Sequence, residues 1–344
     1  MTNLLIPSVL LSLFGVFTLF GIDTGLFFHQ LIFVVIAFAA FAAVKKIGLP
    51  VFRLNNKFLY WFFITVLAIT YIIGVEAKGS KRWLNFGLFN FQASEFFKAF
   101  FILFLAEHLT KRYIRHNSFD VFLKSIAYFI LPTFIIFKQP DLGNAMVFFF
   151  IFLVMVLFSD YPKRYILYFI GFLLMTIPLG WFFMKGYQRA RILSFLSPHV
   201  NTQGTAYNMI QAMITVGSGK FFGRGLGLGT QAKLFFLPEN HTDFAFASLV
   251  EQFGFLGGLA ILVIYAVIVY LLVKRALRFY FRRDEEDKKK FLYTIGVLAY
   301  LVFQIFVNIG MNLGIMPVAG IALPFISYGG SSIVALMIAF ALIP

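Results

Sequence analysis

The segment Pro238-Glu239-Asn240-His241-Thr242-Asp243-Phe244 places two acids and a histidine within five positions, 239–243. Groups of these types can take a proton from a reacting hydroxyl or deliver one to it. They can equally cap the helix that the next apolar run starts, with Thr242 or Asp243 accepting from its first N–H groups. Glu251 lies eight residues on, about two helical turns deeper on the face of Asp243. A zinc site would need a third strong ligand, and the chain has no His-x-x-x-His spacing. The other candidate acids follow the same dual pattern. Glu95 and Lys98, in Gln92-Ala93-Ser94-Glu95-Phe96-Phe97-Lys98, are spaced i,i+3 and share a helix face. They are either a structural ion pair that makes burial tolerable or one wall of a polar cavity open to the outside. Asp141, in Gln139-Pro140-Asp141-Leu142-Gly143, stands where a carboxylate would cap a helix N-terminus.

Two further segments carry unusual backbone chemistry. Gly217-Ser218-Gly219-Lys220-Phe221-Phe222-Gly223-Arg224-Gly225-Leu226-Gly227-Leu228-Gly229 invites comparison with a phosphate-binding loop. It fails as one, because Ile214 stands where the first glycine belongs and Phe221 replaces the Ser or Thr after the lysine. A flexible glycine-rich loop with two cations remains able to hold a lipid phosphate. The stretch 308–332 contains Asn308, Asn312, Pro317, Gly320, Pro324, Ser327, Gly329, Gly330 and Ser331. Proline and glycine at this density break a helix, and broken backbone at membrane depth needs protein or a water cavity around it.

These groups must be positioned by membrane helices. Of 344 residues, 61% are hydrophobic and only 12% charged, and the mean hydropathy is +0.89. Soluble domains carry about 25% charged residues, and disordered chains are poor in apolar ones, so both classes are excluded. A spanning helix takes about 20 apolar residues. Ten apolar runs fall at 4–20, 26–44, 58–75, 96–109, 119–137, 142–158, 165–184, 244–273, 291–309 and 331–343. The expected fold is all-α and polytopic, one transmembrane domain over residues 1–344, with a long loop at about 185–243 between the seventh and eighth helices. The start of the chain reads as a retained first helix without a signal-peptide pattern, and the tenth run is short enough to be a clipped helix. The 50 phenylalanines serve lipid contact and helix packing, and zero cysteines remove disulfides, thiolate metal sites and cysteine nucleophiles.

The net charge of +15 implies no nucleic-acid partner once it is mapped. With the N-terminus inside, the cytoplasmic connections hold 18 Lys and Arg, including Lys45, Arg53, Lys57, Lys111, Arg112, Arg115, Lys124, Lys274 and Arg283. The short outer connections hold only four, Lys78, Lys81, Arg82 and Lys138, and six more lie in the long outer loop, Lys185 among them. Basic residues favour cytoplasmic loops, so both ends of the chain are inside. Asp284, Glu285, Glu286 and Asp287 then belong to a solvated cytoplasmic loop. Asp23, Glu76, Glu95, Asp141, Glu239, Asp243 and Glu251 lie outside or at membrane depth, where acids are rare.

Six segments together resemble one family over the whole chain. They are Lys78-Gly79-Ser80-Lys81-Arg82-Trp83-Leu84, residues 92–98, residues 139–143 with Gly186-Tyr187-Gln188-Arg189, residues 237–244, and residues 308–332. In this order they are similar to the SEDS family (shape, elongation, division and sporulation proteins), and more closely to its rod-shape branch, RodA. Departures from the family pattern are Ala93 for a Pro, Gln252 for the second of two Glu, Ala322 for a Pro, and Lys220 where Gly is frequent. The first of them is expected to loosen the start of the fourth helix.

The resemblance implies a peptidoglycan glycosyltransferase of the bacterial cytoplasmic membrane. Its substrate would be lipid II, a polyprenyl-diphosphate-linked disaccharide peptide, and its partners a class B penicillin-binding protein and other elongation-complex membrane proteins. It also implies Asp243, Glu95 and Lys98 as the catalytic residues. Arg82, Trp83, Gln92, Ser94, Gln139, Asp141, Arg189, Arg191, Arg224, Glu239, His241, Ser327 and Ser331 are the residues expected to bind substrate. An aspartate near its usual pKa of about 3.9 is a weak base for a hydroxyl, and placement at the membrane edge should raise it. The leaving diphosphate needs cations, either Lys98 and the arginines or a divalent ion such as Mg2+ or Mn2+ held by acids such as Glu95. The rival readings are a lipid II flippase, which would place polar groups near the midplane, and a scaffold that only activates its transpeptidase.

Overall fold

Each of the ten apolar runs folds as helix, the eighth interrupted by a break, as a chain in lipid must when every N–H and C=O has to be satisfied internally. The computed structural model describes residues 2–77, 80–87, 89–110, 118–184, 186–196, 205–282 and 284–344. Lys78, Gly79, Lys111, Arg112, Arg115, Lys185 and Arg283, which entered the motif and charge readings, lie outside the described residues. The first half contains α1 (Thr2–Ile22), α2 (Thr24–Ile47), the short α3 (Leu49–Leu54), α4 (Asn56–Ile73), α5 (Ala93–His108), α6 (Ser118–Lys138) and α7 (Leu142–Leu157). The second half contains α8 (Lys163–Phe183), α9 (Gly186–Leu196), α10 (Thr205–Ser218), α11 (Thr230–Lys233), α12 (Ala245–Tyr280), α13 (Glu285–Asn312) and α14 (Gly330–Ala341). Among the described residues, α1, α2, α4, α6, α12 and α13 are long and apolar enough to cross a membrane. At 12 residues α14 reaches only about 18 Å, short of a hydrocarbon core of about 30 Å.

Three elements were not expected. The loop at 185–243 contains the helices α9, α10 and α11. A three-stranded antiparallel sheet links α4 to α5, with β1 (Val75–Ala77), β2 (Ser80–Asn85) and β3 (Asn90–Phe91) in that order. Its register sets Glu76 opposite Lys81 and Leu84 opposite Phe91. The acidic run at 284–287 is exposed at Asp284, Glu285 and Glu286, as expected, but it is helix and not loop from Glu285 on. Glu285, Glu286 and Asp287 form the first turn of α13, where carboxylates meet the positive end of the helix dipole.

The described chain forms two compact units. The first comprises Met1–Leu31, Leu167–Ile268 and Gln304–Gly329; the second comprises Ile32–Ile166, Val269–Phe303 and Gly330–Pro344. The second unit is held together largely by ring packing between α4, α5 and α7. Tyr60 stacks on Phe104 at 4.3 Å, Phe63 on Phe100 at 5.0 Å, and Phe101 meets Phe148 at 5.0 Å. Such pairs add about 0.5–1.5 kcal/mol each beyond their burial, so the phenylalanine count has a packing explanation here. At the end of this unit where α3, α5 and α13 meet, Arg53 bonds both Glu107 and Glu286, and Lys289 reaches Glu107 at 3.4 Å.

In the first unit, Met209, Ala212, Leu237, Phe244, Ala247, Met311 and Val318 form one buried cluster. It joins α10, the start of α12, the end of α13 and the broken segment that follows. The glycine-rich loop is pinned to α12, not flexible. Helix α12 breaks at Gly254, whose φ of 70° is left-handed. The exposed peptide groups there bond the loop, with Phe255 N donating to Lys220 O at 2.9 Å and Arg224 N to Glu251 O at 2.9 Å. A side chain at Gly254 would overlap the backbone of Phe221, Phe222 and Gly223. Gly254→Ala should therefore lower stability by about 2–3 kcal/mol, read as a drop in the detergent-solubilised melting temperature.

The family departures have local explanations in this unit. Lys220 has a φ of 48°, the left-handed region that glycine fills without strain. Gln252 donates from Nε2 to Thr18 O at 3.0 Å and accepts from Gly227 N at 3.3 Å. An amide can do both, whereas an ionised glutamate could only accept. In the second unit, Ala93 is fully buried and α5 starts there, so its start is not loosened.

Candidate active site

The Asp243 turn is held by its backbone. Phe244 N and Thr242 N both donate to Glu239 O, at 3.1 and 3.2 Å, which closes a tight turn ahead of α12. Glu239 itself has a φ of 56°, and its carboxylate accepts from Thr242 Oγ1 at 2.9 Å. Three consecutive carbonyls of this turn then take donors from elsewhere in the first unit. Tyr328 N bonds His241 O at 2.8 Å, Ser327 Oγ bonds Thr242 O at 2.6 Å, and both Asn308 Nδ2 and Asn312 Nδ2 bond Asp243 O, at 3.0 and 3.2 Å. Asn312 Oδ1 also accepts from Ala247 N at 3.0 Å, so one side chain ties α13 to the first turn of α12. With its backbone fixed from two directions, the Asp243 side chain starts from a defined position.

Around it stand several of the expected groups. A methyl built on Gly320 would lie 3.6 Å from Asp243 Oδ2 and 3.9 Å from Arg191 Nη1, so the carboxylate and the guanidinium converge on that glycine. The broken segment is what brings Gly320 there, with Ser327 Oγ also accepting from Leu323 N at 2.8 Å. The His241 ring meets the Tyr328 ring edge-on at 5.8 Å. Burial raises the Tyr328 hydroxyl above its usual pKa, so it remains a neutral donor at physiological pH. Two expected cations point elsewhere. Arg189 is turned to the carbonyls of Trp181 and Phe182 at 2.9 and 2.8 Å, and Arg224 to Thr230 Oγ1 at 2.8 Å.

Glu251 has a different task from Asp243. It is fully buried, and its carboxylate accepts from Gln231 N at 2.8 Å and Ala232 N at 3.0 Å, the first amides of α11. Ser218 Oγ approaches it at 3.4 Å. It therefore fastens the glycine-rich loop from inside. Glu251→Ala should strand these donors at about 1–3 kcal/mol, and hydrogen exchange of residues 217–233 should rise while α5 and α7 in the second unit stay protected.

The second unit carries its own polar cluster, built on Asp141. This residue caps α7, accepting from Asn144 N at 3.1 Å and Asn144 Nδ2 at 2.9 Å. The cap also receives Gln92 Nε2 at 3.2 Å and lies 3.7 Å from Arg82 Nη1, so the expected cap of α7 is also part of a polar cluster. Arg82 on β2 bonds the Pro140 carbonyl as well. Gln139 is spent on Leu67 O at 2.9 Å. Ser331, in the first turn of α14, accepts from Gln92 N at 3.1 Å and donates to Asn90 O at 2.8 Å, which clamps the entry to α5. Trp83 sits half-buried on β2.

Behind that entry, Ser94, Glu95 and Lys98 are buried on α5. Lys98 Nζ bonds Glu95 Oε1 at 2.6 Å and lies 4.9 Å from the centroid of the Tyr300 ring. Glu95 Oε2 is buried without a hydrogen-bond partner among the described residues. An acceptor left open beside a neutralising lysine is where a donor or a cation would gain most. Among the described residues, no three His, Asp or Glu side chains come together as a metal cage.

The FtsW/RodA/SpoVE family, described as cell cycle proteins, matches residues 4–344. The peptidoglycan glycosyltransferase MrdB of Escherichia coli K12 is 32% identical over 348 residues, covering 100% of this chain and 91% of that protein. A probable peptidoglycan glycosyltransferase FtsW of Pseudoalteromonas translucida is 34% identical over 312 residues, covering 90% and 76%. A chain from a peptidoglycan synthase complex, solved for its coordination of polymerization and crosslinking, superposes with a TM-score of 0.85 at 26% identity, covering 100% of this chain and 96% of that one. The chain belongs to the FtsW/RodA/SpoVE family of multi-pass membrane proteins.

Proposed function

We propose that this protein is a peptidoglycan glycosyltransferase that polymerises lipid II on the outer face of the bacterial cytoplasmic membrane during cell elongation. The observation that carries the reading is the immobilised Asp243, its backbone gripped by Asn308 and Asn312 and its side chain converging with Arg191 on Gly320. The names of the relatives supply the reaction class. In the proposed step Asp243 takes the proton of the acceptor sugar hydroxyl as that oxygen attacks the anomeric carbon of the donor. The bond from that carbon to the diphosphate oxygen breaks, and the diphosphate leaves with its electron pair. One displacement inverts the centre, so an α-linked donor gives a β-linked strand.

Charge on the leaving diphosphate must be met by fixed cations. We assign this to Arg191, which converges with Asp243 on Gly320; Lys98 is a separate candidate, judged on its bond to Glu95 alone. A divalent ion such as Mg2+ or Mn2+, if one binds in the second unit, would be held through Glu95 Oε2, the oxygen without a partner among the described residues. Its chemistry there would be neutralisation of the leaving group. A class B penicillin-binding protein is the proposed partner, in line with the synthase complex that this chain resembles.

The test is strand synthesis from lipid II by the purified full chain with that partner. The expected product is a polymer cleaved by a hydrolase specific for β-linkages. An α-linked product would sink the single-displacement mechanism. No polymer at all from a correctly assembled complex would return weight to a flippase or a scaffold.

A further inference from the structure

The cytoplasmic end of the second unit contains a cavity of about 480 Å3 that takes no part in the chemistry above. Its walls come from the junction of α3 with α4, the end of α5 and the first turns of α6. Two lysines, Lys57 and Lys124, line it. Among the described residues no carboxylate pairs with either of them. The one acid in the wall, Glu107, is already committed, with Oε1 bonded to Arg53 and Oε2 at 3.4 Å from Lys289. The cavity therefore presents two uncompensated positive charges. The first residue of α4, Asn56, also lines it, and that helix has no side-chain cap at its N-terminus, which adds the positive end of a helix dipole.

The remaining surface indicates what kind of anion fits. The floor is aromatic, with Phe104 stacked on His108 at 5.9 Å and edge-on to Tyr128 at 4.9 Å. In the wall Leu54 is 86% exposed, and Phe58, which follows Lys57 in the chain, is 68% exposed. The site lies at the start of the apolar span Asn56–Ile73, where headgroups meet hydrocarbon. A free phosphate would use the lysines and leave these apolar side chains in water. A phospholipid would use both, with its phosphate between the lysines and its chains along the apolar groups. Basic pockets between helices at the cytoplasmic surface are suited to such headgroups. We propose that this cavity binds the phosphodiester headgroup of an anionic phospholipid of the cytoplasmic leaflet.

The test is native mass spectrometry of the detergent-purified full chain, titrated with phosphatidylglycerol, with phosphatidylcholine and with inorganic phosphate. The wild type should retain phosphatidylglycerol well above phosphatidylcholine. A lysine at an anionic headgroup is worth roughly fivefold in binding, so Lys57→Gln with Lys124→Gln should weaken retention by about 25-fold. The Lys57→Arg with Lys124→Arg variant should retain the lipid, as should the control pair Lys46→Gln with Lys274→Gln, which removes the same charge elsewhere. Because both lysines are exposed, the glutamine pair should keep the wild-type melting temperature. Equal retention of both lipids by the wild type, or undiminished phosphatidylglycerol binding by the glutamine pair, would overturn the assignment. Displacement of phosphatidylglycerol by equimolar inorganic phosphate would overturn it too, because it would mark a site for the free ion.

Discussion

Asp243→Asn should cut strand formation from lipid II by about 10²- to 10⁴-fold, the range that general-base catalysis typically supplies. The change is nearly isosteric and removes the basic oxygen. It leaves untouched the bonds from Asn308 and Asn312, which grip the carbonyl of Asp243 and not its carboxylate. The melting temperature and binding to the penicillin-binding partner should therefore stay close to wild type. That combination separates a base from a structural acid, for which the stability would fall with the activity. Asn308→Ala makes the complementary measurement. It releases the Ile321 carbonyl and leaves only Asn312 on that of Asp243, so it should lower both stability and turnover. An Asp243→Asn protein that assembles normally and polymerises at the wild-type rate would remove Asp243 as the base.

The helices were legible because a membrane imposes one strong signal, continuous apolar length, and all ten runs carry it. The acid-rich turn at 239–243 was legible for the opposite reason, since acids at the membrane edge are few. What holds that turn was not. Asn308 and Asn312 act on a carbonyl 65 and 69 positions away, and Gln30 donates to Ser327 O across 297. An amide side chain bonding a distant carbonyl has no local spacing to betray it. The same applies to Glu251, which looks like a second site acid in sequence yet fastens α11. The β-strands escaped notice because β3 has two residues and β2 six, with no alternation of burial along β2. Residues 284–287 misled in a different way: a charge run reads as solvated loop, whereas acids in a first helical turn are stabilised by its free N–H groups.

The ion pair of Glu95 and Lys98 makes the sharper distinction between holding the fold and doing chemistry. Both side chains are buried and bonded at 2.6 Å. Removing one partner leaves an uncompensated buried charge, which typically costs about 3–5 kcal/mol. Lys98→Met and Glu95→Leu as single changes should thus each lower the melting temperature steeply, and loss of activity in either would prove nothing about catalysis. The double change is the informative one. Replacing a buried pair by apolar groups of similar volume is often neutral or stabilising, so Glu95→Leu with Lys98→Met should recover most of the stability lost by the singles. If the pair serves only the fold, activity should recover with it. If Lys98 neutralises the leaving diphosphate and Glu95 Oε2 meets a donor or cation, the double variant should be stable and inactive. Melting temperature and polymerisation then move apart in one protein, and their recovering together would assign the pair to the fold alone.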